Sequence, residues 1–120
     1  MKRDNLIKEK SYCFALRIIK LYKFLIENKE YVLSKQVLRS GTSIGANVEE
    51  SIGCHSRKEF IAKYSIIYKE ARETHYWLRL LKDSGFLNET LSVSMINDCE
   101  QLLKIIGCIQ KTLKSNELNS

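Results

Sequence analysis

Hydrophobic residues recur at intervals of three and four positions along four long stretches of the chain, with polar residues between them. This spacing is typical of amphipathic α-helices, whereas half-buried strands alternate apolar and polar residues at every second position. In the first stretch, for example, Ile7, Phe14 and Ile18 fall on one side of a helix. The pattern predicts helices over residues 4–28, 35–53, 57–83 and 88–114.

Local signals mark the expected helix ends. Ser34 is a candidate N-cap for the second helix, since a serine hydroxyl can accept a hydrogen bond from a backbone N–H of the first turn. Ser56 is followed three residues later by Glu59, the spacing of a capping box, and indicates the start of the third helix. Gly53 and Gly85 are expected to end the second and third helices.

The predicted helices have similar lengths and short connections, which favours antiparallel neighbours. The 120 residues include no proline and five glycines, too little turn chemistry for a sandwich or barrel of many short strands. A chain of this length suffices for one domain with its own core. We therefore predict an all-α, up-down-up-down antiparallel four-helix bundle in a single domain spanning residues 1–120.

The composition indicates a folded, basic protein. Hydrophobic residues make up 44% and charged residues 28% of the chain, which excludes intrinsically disordered and low-complexity classes. The formal net charge of +6 can attract phosphate backbones or acidic partners. Because no stretch reaches the roughly 18 apolar residues of a membrane span and the charged start does not resemble a signal peptide, we expect a cytoplasmic protein without membrane contact.

Two glycines interrupt the second predicted helix. Gly41 and Gly45 lie in its middle, where each is expected to cost about 0.8–1 kcal/mol relative to alanine. They share a side with Val37 and Ile44, so we interpret them as positions where a neighbouring helix backbone approaches closely. The alternative, a phosphate-binding glycine loop, lacks the G-x-x-x-x-G-K-[ST] order and a preceding strand.

The second and third helices carry matching polar positions. Compact polar side chains form a short mixed stripe beside the apolar face of the second helix, at Arg39, Ser43, Asn47, Glu50 and Cys54. Lys63, Glu70 and Thr74 occupy a corresponding sector of the third helix. We interpret them as an interhelical network of salt bridges and hydrogen bonds that fixes the register of the bundle. The alternative is an active site or ligand pocket built from Arg39, Glu50, Lys63 and Glu70.

The sequence shows no pattern for metal, cofactor or catalytic chemistry. The two histidines, His55 and His75, have neither zinc-ligand spacing nor the paired E-x-x-H pattern of two-metal bundles. Cys54 precedes His55, but neighbouring residues point in different directions on a helix, so we do not expect a nucleophile and its base. The four cysteines lack C-x-x-C spacing and are expected to be free thiols. We predict no metal, no cofactor and no catalytic residue.

The first predicted helix offers two candidate surfaces. Arg3, Lys10 and Arg17 recur every seven residues with Lys20 nearby, and this basic edge is the candidate nucleic-acid-binding site. No DNA- or RNA-reading motif accompanies it, so sequence-specific readout is not expected. The apolar arc of the same helix is wider than one buried stripe requires, which indicates contact with another subunit.

The third predicted helix carries several aromatic residues, at Tyr64, Tyr68, Tyr76 and Trp77. Such side chains can stack on nucleic-acid bases. Aromatic residues at helical spacing more often pack in a core or an interface, and we favour packing here.

Two segments combine glycine, small and polar residues in a pattern that is unusual for a generic helix. They read LRSGTSIGANVEES (38–51) and SRKEFIAKYSIIYKEARETHYWLRLL (56–81). Here the chain resembles the bacterial four-helix-bundle family associated with intervening sequences in 23S ribosomal RNA genes. The resemblance implies a protomer that assembles into a ring-shaped homopentamer. It extends to the accessory variability proteins of diversity-generating retroelements, basic pentamers that engage nucleic acid and a reverse transcriptase.

By position, the resemblance also implies a set of characteristic polar residues, namely Arg39, Ser43, Asn47, Glu50, Lys63, Glu70 and Glu73. The resulting expectation is a non-enzymatic homo-oligomer, a pentamer by resemblance, whose basic surface binds RNA or DNA without strong sequence preference. A protein-interaction scaffold that recruits a protein partner is the alternative. A small enzyme that uses the polar cluster of the second and third helices is a further one.

Overall fold

Four α-helices make up most of the chain in a computed structural model, which describes residues 2–119 and the side chains of residues 5–115. The helices are α1 (Lys2–Glu27), α2 (Leu33–Ile52), α3 (Arg57–Asp83) and α4 (Glu89–Asn119). Each helix contacts the next along the chain and α4 returns to contact α1, so that α1 and α3 lie diagonally opposite each other. This arrangement confirms the predicted all-α four-helix bundle.

The observed helices differ from the predicted ones mainly at the two outer ends. Helix α1 begins at Lys2 and ends at Glu27, whereas 4–28 was expected. Helix α4 continues to Asn119 rather than ending near residue 114, and the bundle is accordingly elongated, with extents of 52 × 22 × 21 Å.

The core is formed by one apolar stripe from each helix. In α3 the stripe includes Ile67, Ala71 and Leu78, which are fully buried as their spacing predicted. Tyr64 is also buried, and its ring lies 4.9 Å from that of the half-buried Phe60. The other helices contribute Ile7, Phe14, Ile18, Leu21, Leu25, Val37, Ile44, Val48, Met95, Cys99, Leu102, Ile106 and Ile109.

The prediction that Ser34 caps α2 is wrong. The helix begins at Leu33, and the Glu30 carboxylate accepts hydrogen bonds from the N–H groups of Ser34 at 2.6 Å and Val32 at 3.4 Å. Glu30 is buried, with 8% exposure, because its longer side chain folds back from the turn over the helix start. Ser34 instead faces the core, where its hydroxyl has no hydrogen-bond partner among the described residues.

The remaining predicted helix ends are found where the local signals placed them. Ser56 accepts a hydrogen bond from the Glu59 N–H at 3.1 Å, and the Glu59 carboxylate accepts one from the His55 N–H at 3.0 Å. Gly53 is the C-cap of α2. Gly85 follows α3 with φ +85°, and the Phe86 N–H donates to the Leu81 carbonyl at 3.0 Å, which completes a Schellman motif.

The turn after α1 has the same geometry without a glycine. Lys29 adopts φ +65°, and the next N–H, that of Glu30, donates to the Leu25 carbonyl at 2.9 Å. A side chain in this left-handed conformation costs about 1–2 kcal/mol, because its Cβ crowds the backbone. The turn therefore carries strain that the glycine at the end of α3 avoids.

Helix α1 lies directly against the two central glycines of α2. A Cβ placed on Gly41 would lie 2.7, 2.9 and 2.9 Å from three side-chain atoms of Ile18. A Cβ placed on Gly45 would lie 3.3 Å from the backbone carbonyl oxygen of Ser11. A side chain at Gly41 would collide with Ile18, and one at Gly45 would press on the α1 backbone, which is the physical reason for a minimal residue at both.

Candidate functional surfaces

Two ion-pair groups link α2 to α3. In the first, the Arg39 guanidinium donates to Glu70 at 3.4 Å and to Glu73, and the Trp77 indole N–H donates to the same Glu73 carboxylate at 2.9 Å. Lys63 anchors the second group, because its ammonium lies 2.9 Å from the Glu50 carboxylate. The structure therefore brings together charged residues that the sequence placed on two separate helices.

Amides and hydroxyls extend these contacts. The Lys63 ammonium also donates to the Asn47 side-chain oxygen at 3.4 Å, whereas the Ser43 hydroxyl donates only to the Arg39 carbonyl of its own helix at 2.6 Å. Beneath them, the Thr74 hydroxyl donates to the Ser40 hydroxyl at 2.9 Å in the buried interior. The sequence reasoning missed Ser40, since a serine four residues before a core isoleucine gives no signal that it faces a polar partner.

We call these interhelical contacts the α2–α3 cluster, which is open to solvent along its outer edge and consists of Arg39, Asn47, Glu50, Lys63, Glu70 and Glu73. The side chains of Arg39 and Glu50 are 50% and 62% exposed, whereas those of Glu70 and Lys63 are about one-fifth exposed. Exposed ion pairs typically contribute about 0–1 kcal/mol each, so the cluster adds little net stability. Its charged groups bond one another across the seam, and this arrangement joins the two helices.

The basic edge of α1 lies along the seam with α4. The Lys10 ammonium donates to the Gln101 side-chain oxygen at 3.0 Å, and the Arg17 guanidinium lies 2.5 Å from the Asp98 carboxylate. Lys20 is exposed, and the Arg3 side chain lies outside the described residues. Two of the four predicted nucleic-acid-binding residues are thus engaged within the protomer.

A groove of about 390 Å³ runs beneath these two contacts. Its floor is apolar, formed by Leu6, Phe14 and Leu102, and Cys13 lies at its edge. The four residues of the two contacts also line it, namely Lys10, Arg17, Asp98 and Gln101.

A stronger basic surface, which the sequence reasoning missed, lies on the outer side of α3. We call it the α3 basic stripe, and it consists of the exposed residues Lys58, Lys69, Arg72 and Arg79. Lys58, Arg72 and Arg79 are separated by multiples of seven residues, so they drift by only about 20° per heptad around the helix. Among the side chains of residues 5–115, none forms an ion pair with a member of the stripe. Lys104 and Lys111 add exposed positive charge on the neighbouring α4.

Tyr76 lies within the α3 basic stripe, between Arg72 and Arg79. Its side chain is 47% exposed, and the Arg79 guanidinium carbon lies 5.9 Å from the centroid of its ring. The Trp77 ring packs edge-on against the Tyr76 ring, with 5.1 Å between the two ring centroids. The aromatic residues of α3 therefore differ in their exposure. Tyr64 belongs to the core and the half-buried Phe60 and Trp77 pack against it, whereas Tyr68 (37% exposed) and Tyr76 reach solvent.

Exposed apolar residues cluster on α1, on the side away from α4. Tyr12, Leu16 and Ile19 are 64%, 47% and 37% exposed and follow the i, i+4, i+7 spacing of a single stripe. We call them the α1 apolar patch. A shallow groove beside it is lined by residues of both α1 and α2, including Ala15 and Gly45. The wide apolar arc of α1 is thus only partly used within the protomer.

The cysteines differ sharply in their surroundings. Burial raises the pKa of the Cys99 thiol from 9.0 to about 12. The negative charges of Glu100 and, to a smaller extent, Asp98 act in the same direction, because they disfavour a thiolate nearby. That thiol donates to the Ala71 carbonyl at 3.4 Å, whereas Cys13 and Cys108 are exposed thiols.

Within the described side chains, no group of three or more His, Cys, Asp or Glu residues is arranged to hold a metal ion. No helix among residues 2–119 has both the length and the apolar character needed to cross a bilayer.

Comparisons with known proteins agree with this architecture. A family model described as "23S rRNA-intervening sequence protein" matches residues 3–108. Among solved structures, the chain is similar to a protein of unknown function from the S23 ribosomal protein family of Bacteroides thetaiotaomicron. The two share 49% identity with a TM-score of 0.89, and the match covers 91% of this chain and 98% of the other. No curated protein matches significantly.

Proposed function

The chain belongs to the 23S rRNA-intervening sequence protein family, and from this premise we propose that it is a non-enzymatic homo-oligomer that binds RNA or DNA without strong sequence preference. The observation that carries the proposal is the α3 basic stripe. The family description names a gene location and is not itself a binding activity, so the support comes from charge and geometry.

The stripe has the chemistry of a phosphate-binding surface. Its residues span 21 helical steps, or about 31 Å at 1.5 Å per residue, and their charges are not neutralised by carboxylates of the described side chains. Cations arranged in this way release counterions from a nucleic acid on binding. Contacts to phosphates carry no sequence information. A helix face that offers only lysine and arginine side chains to the phosphates is therefore expected to bind without strong sequence preference.

The α1 apolar patch supports self-association. Its three residues are large and exposed at i, i+4, i+7 spacing, and contiguous exposed apolar surface marks interaction sites. Because α1 and α3 lie diagonally opposite each other, subunits that meet through α1 would leave the α3 basic stripe accessible. The pentamer and the similarity to accessory variability proteins are proposed from the resemblance.

The α2–α3 cluster is proposed to set the register of the two helices. Arg39 and Lys63 each meet partners on the opposite helix, which would be lost if either helix slid by one turn. Networks of this kind are a better source of specificity than of net stability.

Charge reversal on the stripe tests the binding proposal. We expect Lys69→Glu together with Arg72→Glu to weaken binding of a fluorescent 20-nucleotide RNA by more than tenfold in low-salt anisotropy measurements. The matched control reverses Lys23 and Lys35, which are exposed on α1 and α2, and changes the net charge equally. Equal loss in both variants would show that only net charge matters, and no binding by the unmodified protein would refute the proposal.

A further inference from the structure

We propose that the α3 basic stripe takes single-stranded nucleic acid, with Tyr76 stacking against an unpaired base while the neighbouring cations contact phosphates. This inference rests on the proposed function. It specifies the class of nucleic acid, a single strand, and the residue that favours a single strand over a duplex, Tyr76. The juxtaposition that carries it is an exposed aromatic ring within a row of cations that lack ion-pair partners among the described side chains.

The Tyr76 ring is held in place before any ligand arrives. Trp77 meets it edge-on at 5.1 Å with an interplanar angle of 66°, and the Arg79 guanidinium carbon lies 5.9 Å from its centroid. Trp77 is itself fixed by its hydrogen bond to Glu73. Nearly half of the Tyr76 side chain nevertheless stays exposed and accessible to a base. Because the Trp77 and Arg79 contacts already restrict the ring, less conformational entropy is lost when a base binds there.

Stacking distinguishes single strands from duplexes. Every base has a π-face that can lie against an aromatic ring or a guanidinium plane, whatever its sequence. In a duplex those faces are covered by neighbouring base pairs, and only the phosphates are available to this surface. Arg72 and Arg79 lie four and three residues from Tyr76, about one helical turn on either side, so the same short stretch of strand can be held at both its base and its backbone.

The alternative positions for such a residue are less suitable. Tyr64 is buried, and Tyr12 lies in the α1 apolar patch. Tyr68, which precedes Arg72 by four residues, is less exposed than Tyr76, at 37%, and no ring or guanidinium contact among the described side chains positions it. Tyr31 is exposed in the turn between α1 and α2, outside the α3 basic stripe, and therefore serves as a matched control.

The experiment compares a 20-nucleotide single strand of mixed sequence with the corresponding 20-base-pair duplex. Anisotropy is measured for the unmodified protein, Tyr76→Ala, Tyr76→Phe and Tyr31→Ala, with circular dichroism as the control for folding. We expect the unmodified protein to prefer the single strand. Tyr76→Ala should weaken single-strand binding by at least about fivefold, the lower end for loss of one stacked base, and leave duplex binding unchanged. Tyr76→Phe and Tyr31→Ala should bind as the unmodified protein does.

The possible failures are separable. If the duplex binds as well as the single strand, or if Tyr76→Ala leaves single-strand binding unchanged, this inference is wrong while the proposed function stands. If neither nucleic acid binds at low salt, both are wrong. Trp77 gives an independent readout as the single tryptophan of the chain, because a base stacked on the adjacent ring should change its emission. Emission that is unaffected by a saturating single strand would contradict the placement.

Discussion

Adding one methyl group at Gly41 tests whether α1 approaches α2 as closely as the structure shows. Two effects oppose each other in Gly41→Ala. Alanine is favoured over glycine inside a helix by about 0.8–1 kcal/mol. Against this, the new Cβ would lie 2.7, 2.9 and 2.9 Å from three atoms of Ile18, a fully buried side chain that can move only by displacing its neighbours in the packed core.

The size of the effect follows from the clash. Overpacking of a core costs about 1–3 kcal/mol, and three contacts this short place Gly41→Ala towards the upper value. Subtracting the gain in helix propensity leaves a net destabilisation of about 1–2 kcal/mol. At Gly45 the contact is a backbone oxygen at 3.3 Å, so the cost and the gain should nearly cancel.

Gly107 of α4 supplies the matched control. A Cβ added there meets no atom within 4 Å, so Gly107→Ala should stabilise the protein by about 0.8–1 kcal/mol through helix propensity alone. Urea unfolding, followed by far-ultraviolet circular dichroism at one protein concentration, gives all three free-energy differences. The expected order of stability is Gly107→Ala, then Gly45→Ala, then Gly41→Ala. If Gly41→Ala is as stable as Gly107→Ala, the close approach of α1 to α2 is refuted.

Four further predictions concern the turn between α1 and α2 and the cysteines. Lys29→Gly should raise the free energy of unfolding by about 0.5–1 kcal/mol, since it relieves the left-handed strain but gives the unfolded chain more freedom; a lower urea midpoint would contradict this. Glu30→Ala should lower it by about 1 kcal/mol through loss of the cap on α2, with the exposed Glu27→Ala as a near-neutral control in the same assay. In native protein at pH 8, a thiol reagent should modify Cys13 rapidly and Cys99 only after unfolding. The pKa of Cys99 is about 12 in the folded state and near 9.0 in the unfolded state. The stability that this difference provides is therefore present below pH 9 and is lost between pH 9 and 12. Cys99→Ala should flatten this decline of the free energy of unfolding in urea titrations.

The helix ends show what local sequence can and cannot predict. At the start of α3, Ser56 accepts a hydrogen bond from the Glu59 N–H and the Glu59 carboxylate accepts one from the His55 N–H, so the three-residue spacing was enough to place this helix end. At α2 the cap comes from Glu30, which lies outside the helix and reaches it only because the turn at Lys29 bends the chain back. The left-handed conformation of Lys29 has no clear signal in the sequence. Ser34 was therefore the more obvious candidate for the N-cap of α2.

The candidate surfaces show the same division. Helical spacing showed that Arg17 lies on a basic edge, but not that Asp98, 81 residues later, would neutralise it from the neighbouring helix. The spacing of Lys58, Arg72 and Arg79 was equally visible in the sequence, and only the packing of α3 shows that this row stays free of carboxylate partners among the described side chains. Tyr64 and Tyr76 likewise share a helix, yet one faces the core and the other faces solvent.

The salt dependence of binding tests the central claim, that the α3 basic stripe is a phosphate-binding surface, most directly. For four phosphate contacts on a single strand, the logarithm of the affinity should fall with the logarithm of the salt concentration with a slope of about −3. Reversing Lys69 and Arg72 should make this slope shallower by at least about 1.4, the value for two lost contacts. Parallel slopes for the unmodified and reversed proteins would contradict the claim.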